Sequence, residues 1–199
     1  MQTNPKEDSR IIACSVFKPA IEYLNLRNKY PRLRVTYLPS NLHLYPQRLR
    51  TRLMKNISVA QRIGDDTICL YGDCFPCIDK VCEQHGVKKA VGVHCYEMLL
   101  GPSTFQRIMD ETAGTYFVER DLVLNFNQFC VEPLELYDEE MRKCCFEHYK
   151  KLLYIRQPSD PDLVCKAREE ADFLGLSLEI VDADYSYIER VLNDLILPE

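Results

Sequence analysis

The order of its apolar runs predicts that this chain is an α/β protein, with parallel sheet flanked by helices in a Rossmann-like arrangement. Two observations carry the prediction. Short apolar runs alternate with longer segments whose apolar residues recur at helical spacing, such as Leu49, Leu53, Ile57 and Ala60. That alternation continues almost from end to end, and strand-helix order of this kind gives parallel strands with helices on both faces. Hydrophobic residues make up 46% of the 199, enough for one substantial core or two smaller lobes.

In chain order, "RIIACSVF" (10–17), "LRVTYL" (33–38), "DTICLY" (66–71), "KAVGV" (89–93) and "TYFVE" (115–119) read as strands. Segments 18–30, 46–62, 73–86 and 95–112 read as the helices between them. Gly101 and Pro102 interrupt the last, and a break there would offer Ser103 and Thr104 as caps whose backbone N–H groups could hold a carboxylate or phosphate. "FNQFCVEP" (126–133) reads as a loop. "DEEMRKCCFEHYKKL" opens with acids and closes with bases, as a helix dipole favours. The strand-helix rhythm then resumes through "LLYIR" (152–156), 161–176, "SLEIV" (177–181) and 184–195. This order allows one unit over 1–199, or two lobes in which 1–62 joins 150–199 and 63–149 stands between.

Composition narrows the function. A net charge of −5 and a pI near 5.5 give no phosphate-backbone footprint, so nucleic acid is not an expected partner. No apolar stretch approaches the roughly 20 residues of a membrane helix, and the polar start "MQTNPKEDSR" has no signal core, which predicts a cytoplasmic protein. Ten cysteines there would persist as thiols, as metal ligands, redox groups or core. The familiar nucleotide, hydrolase and metalloprotease motifs are missing from the sequence.

In open α/β sheets ligands bind outside the carboxyl ends of the strands. Those positions here carry Cys14, then Pro39, Asn41 and His43, then Gly72, Asp73, Cys74 and Cys77, then His94, Cys95 and Glu97, and last Glu119 and Arg120. Four of five strand ends therefore bring cysteine or histidine, the soft or borderline metal ligands. Gly72 and Asp73 are expected to turn and cap a helix that starts near Cys74, where the dipole would favour thiolate and Cys77 would share its face. A redox CxxC is the alternative reading of the pair. Cys69, Cys82, Cys130, Cys144, Cys145 and Cys165 are read as core, and Arg48, Arg50, Arg52 and Lys55 as a solvated helix face.

With "IIACSVF", "LPSNLHLYPQRLRTRL", "LYGDCF", "CYEMLLG", "AGTYFVERDL" and "AREEADFLGLSLEIVDADYSYIERVL" in that order, the chain resembles the family called domain of unknown function 1638. It has Val93-His94-Cys95 where such proteins carry a His-Asp-Cys triplet. The resemblance implies a site built from Cys14, Cys74 and Cys95 with His43 as the fourth contributor. It also implies a role in corrinoid-dependent methyl transfer in one-carbon metabolism, with a corrinoid protein or methyltransferase as partner. Three thiolates and an imidazole would suit zinc, with an iron-sulfur cluster or a corrinoid as alternatives. Glu97 would then be a general base or would orient a ligand, and Asn41, Ser103 and Thr104 would contact the bound molecule. Strand order is also similar to that of the two-lobed uroporphyrinogen III synthase, which makes a tetrapyrrole-binding module without catalysis the competing expectation.

Overall fold

The structure is a computed structural model that describes residues 8–197. Its chain divides into two units, one formed by the residues up to Met98 with those from Tyr185 onward, the other by Leu99–Asp184.

The first unit holds strands β1 (Ser9–Cys14), β2 (Leu33–Leu38), β3 (Asp66–Leu70) and β4 (Lys88–Lys89) in the order β2-β1-β3-β4, all parallel. Between β1 and β2 run α1 (Lys18–Tyr23) and α2 (Leu26–Lys29), split where Asn25 takes a left-handed φ of 54°. Helix α3 (Pro46–Arg62) joins β2 to β3 and spans the predicted range, because its apolar stripe is fully buried: Leu49, Leu53, Ile57 and Ala60 have 0% exposure. Pro46 occupies the first turn, where its missing N–H costs nothing. Helix α4 (Ile78–Gln84) precedes β4, and α5 (Cys95–Leu100) crosses the boundary between units. The central strands β1 and β3 read as near-continuous apolar runs because both faces are covered; Ile11, Ile12, Ile68 and Leu70 are all inaccessible.

The second unit contains α6 (Pro102–Glu111), β5 (Thr115–Glu119), α7 (Arg120–Leu124), α8 (Glu139–Phe146), β6 (Lys151–Arg156), α9 (Val164–Leu174) and β7 (Ser177–Asp182). Its sheet is parallel, in the order β5-β6-β7. The final helix, α10 (Ser186–Ile196), belongs to the first unit. An α/β fold of two all-parallel sheets flanked by helices is thus what the strand-helix alternation predicts.

Several local expectations are corrected. The division is not 1–62 with 150–199 against 63–149: β3 pairs with β1, while β6 and β7 pair with β5. The first strand ends at Cys14 because Ser15–Phe17 turn into a short 3-10 helix. The fourth shrinks to Lys88–Lys89. The segment read as a loop, around "FNQFCVEP", contains a π-helical turn at Asn127–Val131. The predicted break at Gly101 occurs, but Gly101 itself takes the cap position with φ 79°, and Ser103 and Thr104 follow Pro102 inside the first turn of α6. Cys144 and Cys165 are exposed and Cys145 half-buried, so these three do not belong to the core, whereas Cys69, Cys82 and Cys130 do.

Among the described residues, no helix is long and apolar enough to cross a membrane.

Candidate functional site

All four strands of the first sheet run the same way, so their carboxyl ends line one edge. From β1 the chain moves outward on one side to β2 and then back past β1 to β3. The gap between β1 and β3 is therefore the topological switch point, the place where open α/β sheets bind ligands. Cys14 ends β1, and Tyr71 follows β3. The register pairs Ile12 with Cys69 and Ala13 with Leu70, so one further step sets Cys14 level with Tyr71 on the same face of the sheet. Cys74 comes three residues after Tyr71.

Tyr71 closes the run that reads as the third strand, yet it is the most informative residue of this edge. It is 2% exposed, and its hydroxyl has no hydrogen-bond partner. Leaving such a group unpaired costs on the order of 1–3 kcal/mol. Burial drives its ionisation far above the ordinary tyrosine range, and the nearby thiols of Cys14, Cys69 and Cys74 push in the same direction. Two of the predicted ligands, from the two strands that flank the switch point, thus act on one buried phenol.

The loop after β3 differs from its predicted form. Helix α4 starts at Ile78, and its cap position is Cys77, with a left-handed φ of 62°. Cys74 therefore lies in irregular chain ahead of the helix, and Cys77 is exposed and shares no helix face with it. Pro76 helps to explain this, since the residue before a proline is steered away from helical geometry. Burial raises the Cys74 pKa and Asp73 adds to the rise, outweighing a backbone hydrogen bond at Gly72 and the charge of Lys89. The resting group is a thiol, where a helix dipole was expected to favour thiolate.

Asp73 does not cap the helix either. Its carboxylate lies 3.2 Å from Lys89 Nζ, which also meets Asp79 at 3.1 Å. Burial pulls the Lys89 pKa down, but hydrogen bonds to Asp79 and Asp73 more than reverse this, and the ammonium stays charged. Lys89 opens the run that reads as the fourth strand, and that leading charge is its sequence signal.

Gly72 has the clearest steric role. A Cβ there would stand 2.3 Å from the Val93 carbonyl oxygen and 3.1 Å from His94 Cα. Two loops pass backbone to backbone at this point, joined by the Asp73 N–H donating to Val93 O at 2.7 Å. Glu97, expected as a base, accepts from the Val93 N–H at 2.7 Å and so braces the same loop. Cys95 begins α5 beside it and is half-buried, while His94 is exposed.

Toward β2, the Ser40 N–H donates to Ser15 Oγ at 2.9 Å and ties the first two loops together. His43 is exposed on a 3-10 turn, Ser40–Leu44, and its Nδ1 donates to the Ser40 carbonyl at 2.7 Å. Asn41 lines an open pocket of about 590 Å³ with Arg48 and Arg52, and Arg48 stacks over Tyr45 at 4.9 Å. Ser103 and Thr104 belong to the second unit.

Among the described residues no group of three or more Cys, His, Asp or Glu side chains is placed to hold a metal ion. The four predicted ligands therefore do not form a ready tetrahedral site. Behind the edge, Cys69 on β3 hydrogen-bonds Cys82 on α4; the bond and burial raise the Cys69 pKa and the bond lowers that of Cys82.

No curated protein and no solved structure matches the chain. A family model does, over residues 37–192, a segment that begins within β2 and contains Cys74 and Cys95, with Cys14 ahead of it. Since that match covers most of the sequence, the chain belongs to the family described as protein of unknown function DUF1638.

Proposed function

We propose that the protein binds a small molecule at the carboxyl edge of its four-stranded sheet, with Cys14 and Cys74 as the thiols that meet it, and that it serves corrinoid-dependent methyl transfer in one-carbon metabolism. One observation carries the binding site: the strands that flank the switch point are followed by cysteines whose thiols both act on the buried, unpartnered hydroxyl of Tyr71. A ligand polar group reaching that hydroxyl would supply the missing hydrogen bond. The corrinoid and one-carbon part of the reading rests on the resemblance in sequence.

A corrinoid suits this edge better than a zinc tetrad or an iron-sulfur cluster, each of which needs three or four protein ligands converging on one point, and no such convergence occurs among the described residues. A corrinoid would supply methyl-carrying chemistry when bound. The chain's own residues would do the rest: Cys14 and Cys74 as soft donors, Tyr71 as an orienting hydrogen-bond donor, and the Gly72–Val93 contact as a fixed wall. Because Cys74 rests as a thiol, its engagement as a thiolate would release a proton, so binding should strengthen as pH rises.

Absorbance titration of oxygen-free protein with aquocobalamin tests the proposal, alongside elemental analysis for zinc and iron. A spectral shift that weakens at least tenfold in Cys14→Ser and Cys74→Ser, and measurably in Tyr71→Phe, supports it. A shift that none of the three substitutions changes, or no shift at all, refutes the site. Stoichiometric zinc or iron that C74S removes would instead favour the four-residue metal centre of Cys14, His43, Cys74 and Cys95.

A further inference from the structure

The second unit contains a cleft of its own, far in sequence from the thiol edge. It has a volume of about 410 Å³, within the range of small-molecule pockets. One wall is the π-helical turn Asn127–Val131, a rare backbone form that recurs at functional sites. Helix α9 forms the other wall, with Phe173 edge-on to Phe126 at a centroid distance of 6.2 Å.

Glu170 of α9 lines this cleft. It is 5% exposed, and neither carboxyl oxygen has a hydrogen-bond partner. Two unused oxygens in one plane, beside aromatic rings, ask for a flat partner with matching polar atoms. The charged and titratable groups around the carboxyl are few. On α9 itself Lys166 and Glu169 act in opposite senses, and Lys166 Nζ is anchored on the Leu124 carbonyl at 3.0 Å. Tyr116 of β5 donates to Cys130 Sγ at 3.1 Å, and both groups feel the Glu170 charge. Tyr137, also on the cleft wall, donates its hydroxyl to Asn127 at 2.6 Å. None of these groups supplies Glu170 with a counter-charge held against it.

We propose that this cleft binds a neutral, flat heteroaromatic molecule bearing a 2-aminopyrimidine-type edge, with the Glu170 carboxyl reading that edge and the Phe126–Phe173 pair forming one apolar wall beside the ring. A carboxylic acid offers one O–H donor and one carbonyl acceptor side by side. A 2-aminopyrimidine offers the complement, a ring nitrogen acceptor beside an N–H donor, so the pair closes two hydrogen bonds without burying a net charge. Burial, more than any neighbouring charge, raises the Glu170 pKa to about 8, so the acid form is the one present at neutral pH.

The probe is 2-aminopyrimidine itself, followed by ligand-observed saturation-transfer NMR at pH 6.5 and pH 9, with benzamidine as the permanently cationic comparison. The expected result is millimolar binding at pH 6.5 that weakens about tenfold by pH 9, where roughly a tenth of a group with a value near 8 keeps its proton. Glu170→Gln presents the same donor-acceptor pair in neutral form, so it should bind within about threefold of wild type and lose the pH dependence. Glu170→Leu should abolish binding while leaving the circular dichroism spectrum intact, since it removes an unpaired buried polar group. Failure of the folded wild type to bind, retention of binding by E170L, or benzamidine binding that exceeds the neutral probe and tightens with pH would each overturn the proposal.

Discussion

Replacing Gly72 with alanine tests how the thiol edge is built. The added Cβ would lie 2.3 Å from Val93 O and 2.8 Å from Val93 C, about 1 Å inside ordinary contact, and the atoms it meets are backbone. No rotamer change can relieve the clash, so one loop must move. Overpacking of this kind costs about 1–3 kcal/mol. Movement also breaks the 2.7 Å hydrogen bond from Asp73 N–H to Val93 O, worth about 1 kcal/mol more. The sum, about 2–4 kcal/mol, corresponds to a fall in Tm on the order of 10 °C for a chain of this size. Gly86→Ala is the control: its φ of +60° imposes the left-handed penalty of about 1–2 kcal/mol, but its Cβ would meet nothing within 4 Å. Thermal melts followed by circular dichroism separate the two. If Gly72→Ala melts within 2 °C of wild type, or no lower than Gly86→Ala, the two loops do not depend on close backbone contact.

Two further outcomes can be checked directly. Burial raises the Glu119 pKa to about 8, so between the unfolded value near 4.5 and 8 the folded protein holds a proton that the unfolded chain has released; stability therefore declines as pH rises through that window and levels off above it. Urea midpoints from pH 5 to 8 should show that decline, and Glu119→Gln, which can still accept from Asp121 N and Leu122 N, should make it shallower, with Glu170 supplying the same sign in what remains. Native-state alkylation read by mass spectrometry should label the exposed Cys77, Cys144 and Cys165 fast, and Cys69, Cys82 and Cys130 only after unfolding.

The helix at 46–62 and the strands at 33–38 and 115–119 matched their predicted ranges because each carries a full apolar period that tertiary packing simply accepts. The segment after β3 did not. Its predicted helix start followed the Gly72-Asp73 signal, but Lys89, brought in by β4, holds Asp73 and the helix begins at Ile78 instead. The choice between cap and ion pair depends on a residue sixteen positions away in the sequence. The candidate site was legible to the same extent: the residue types at strand ends were readable, and the partners that decide their state were not. His43 turns to its own loop, Glu97 braces Val93, and Tyr71, hidden inside an apolar run, is the group left without a partner.

Periodicity, being a property of neighbours along the chain, determined by itself the α/β class, the parallel strands and the ranges of the longest elements, and the order of particular motifs pointed to the family. Tertiary structure decided that the strands form two sheets, that Cys14 and Cys74 flank one switch point, and that Tyr71 and Glu170 are buried with unused hydrogen-bonding atoms. Those features depend on which strands pair and which side chains meet across them, and contacts between residues distant in sequence leave no period to read.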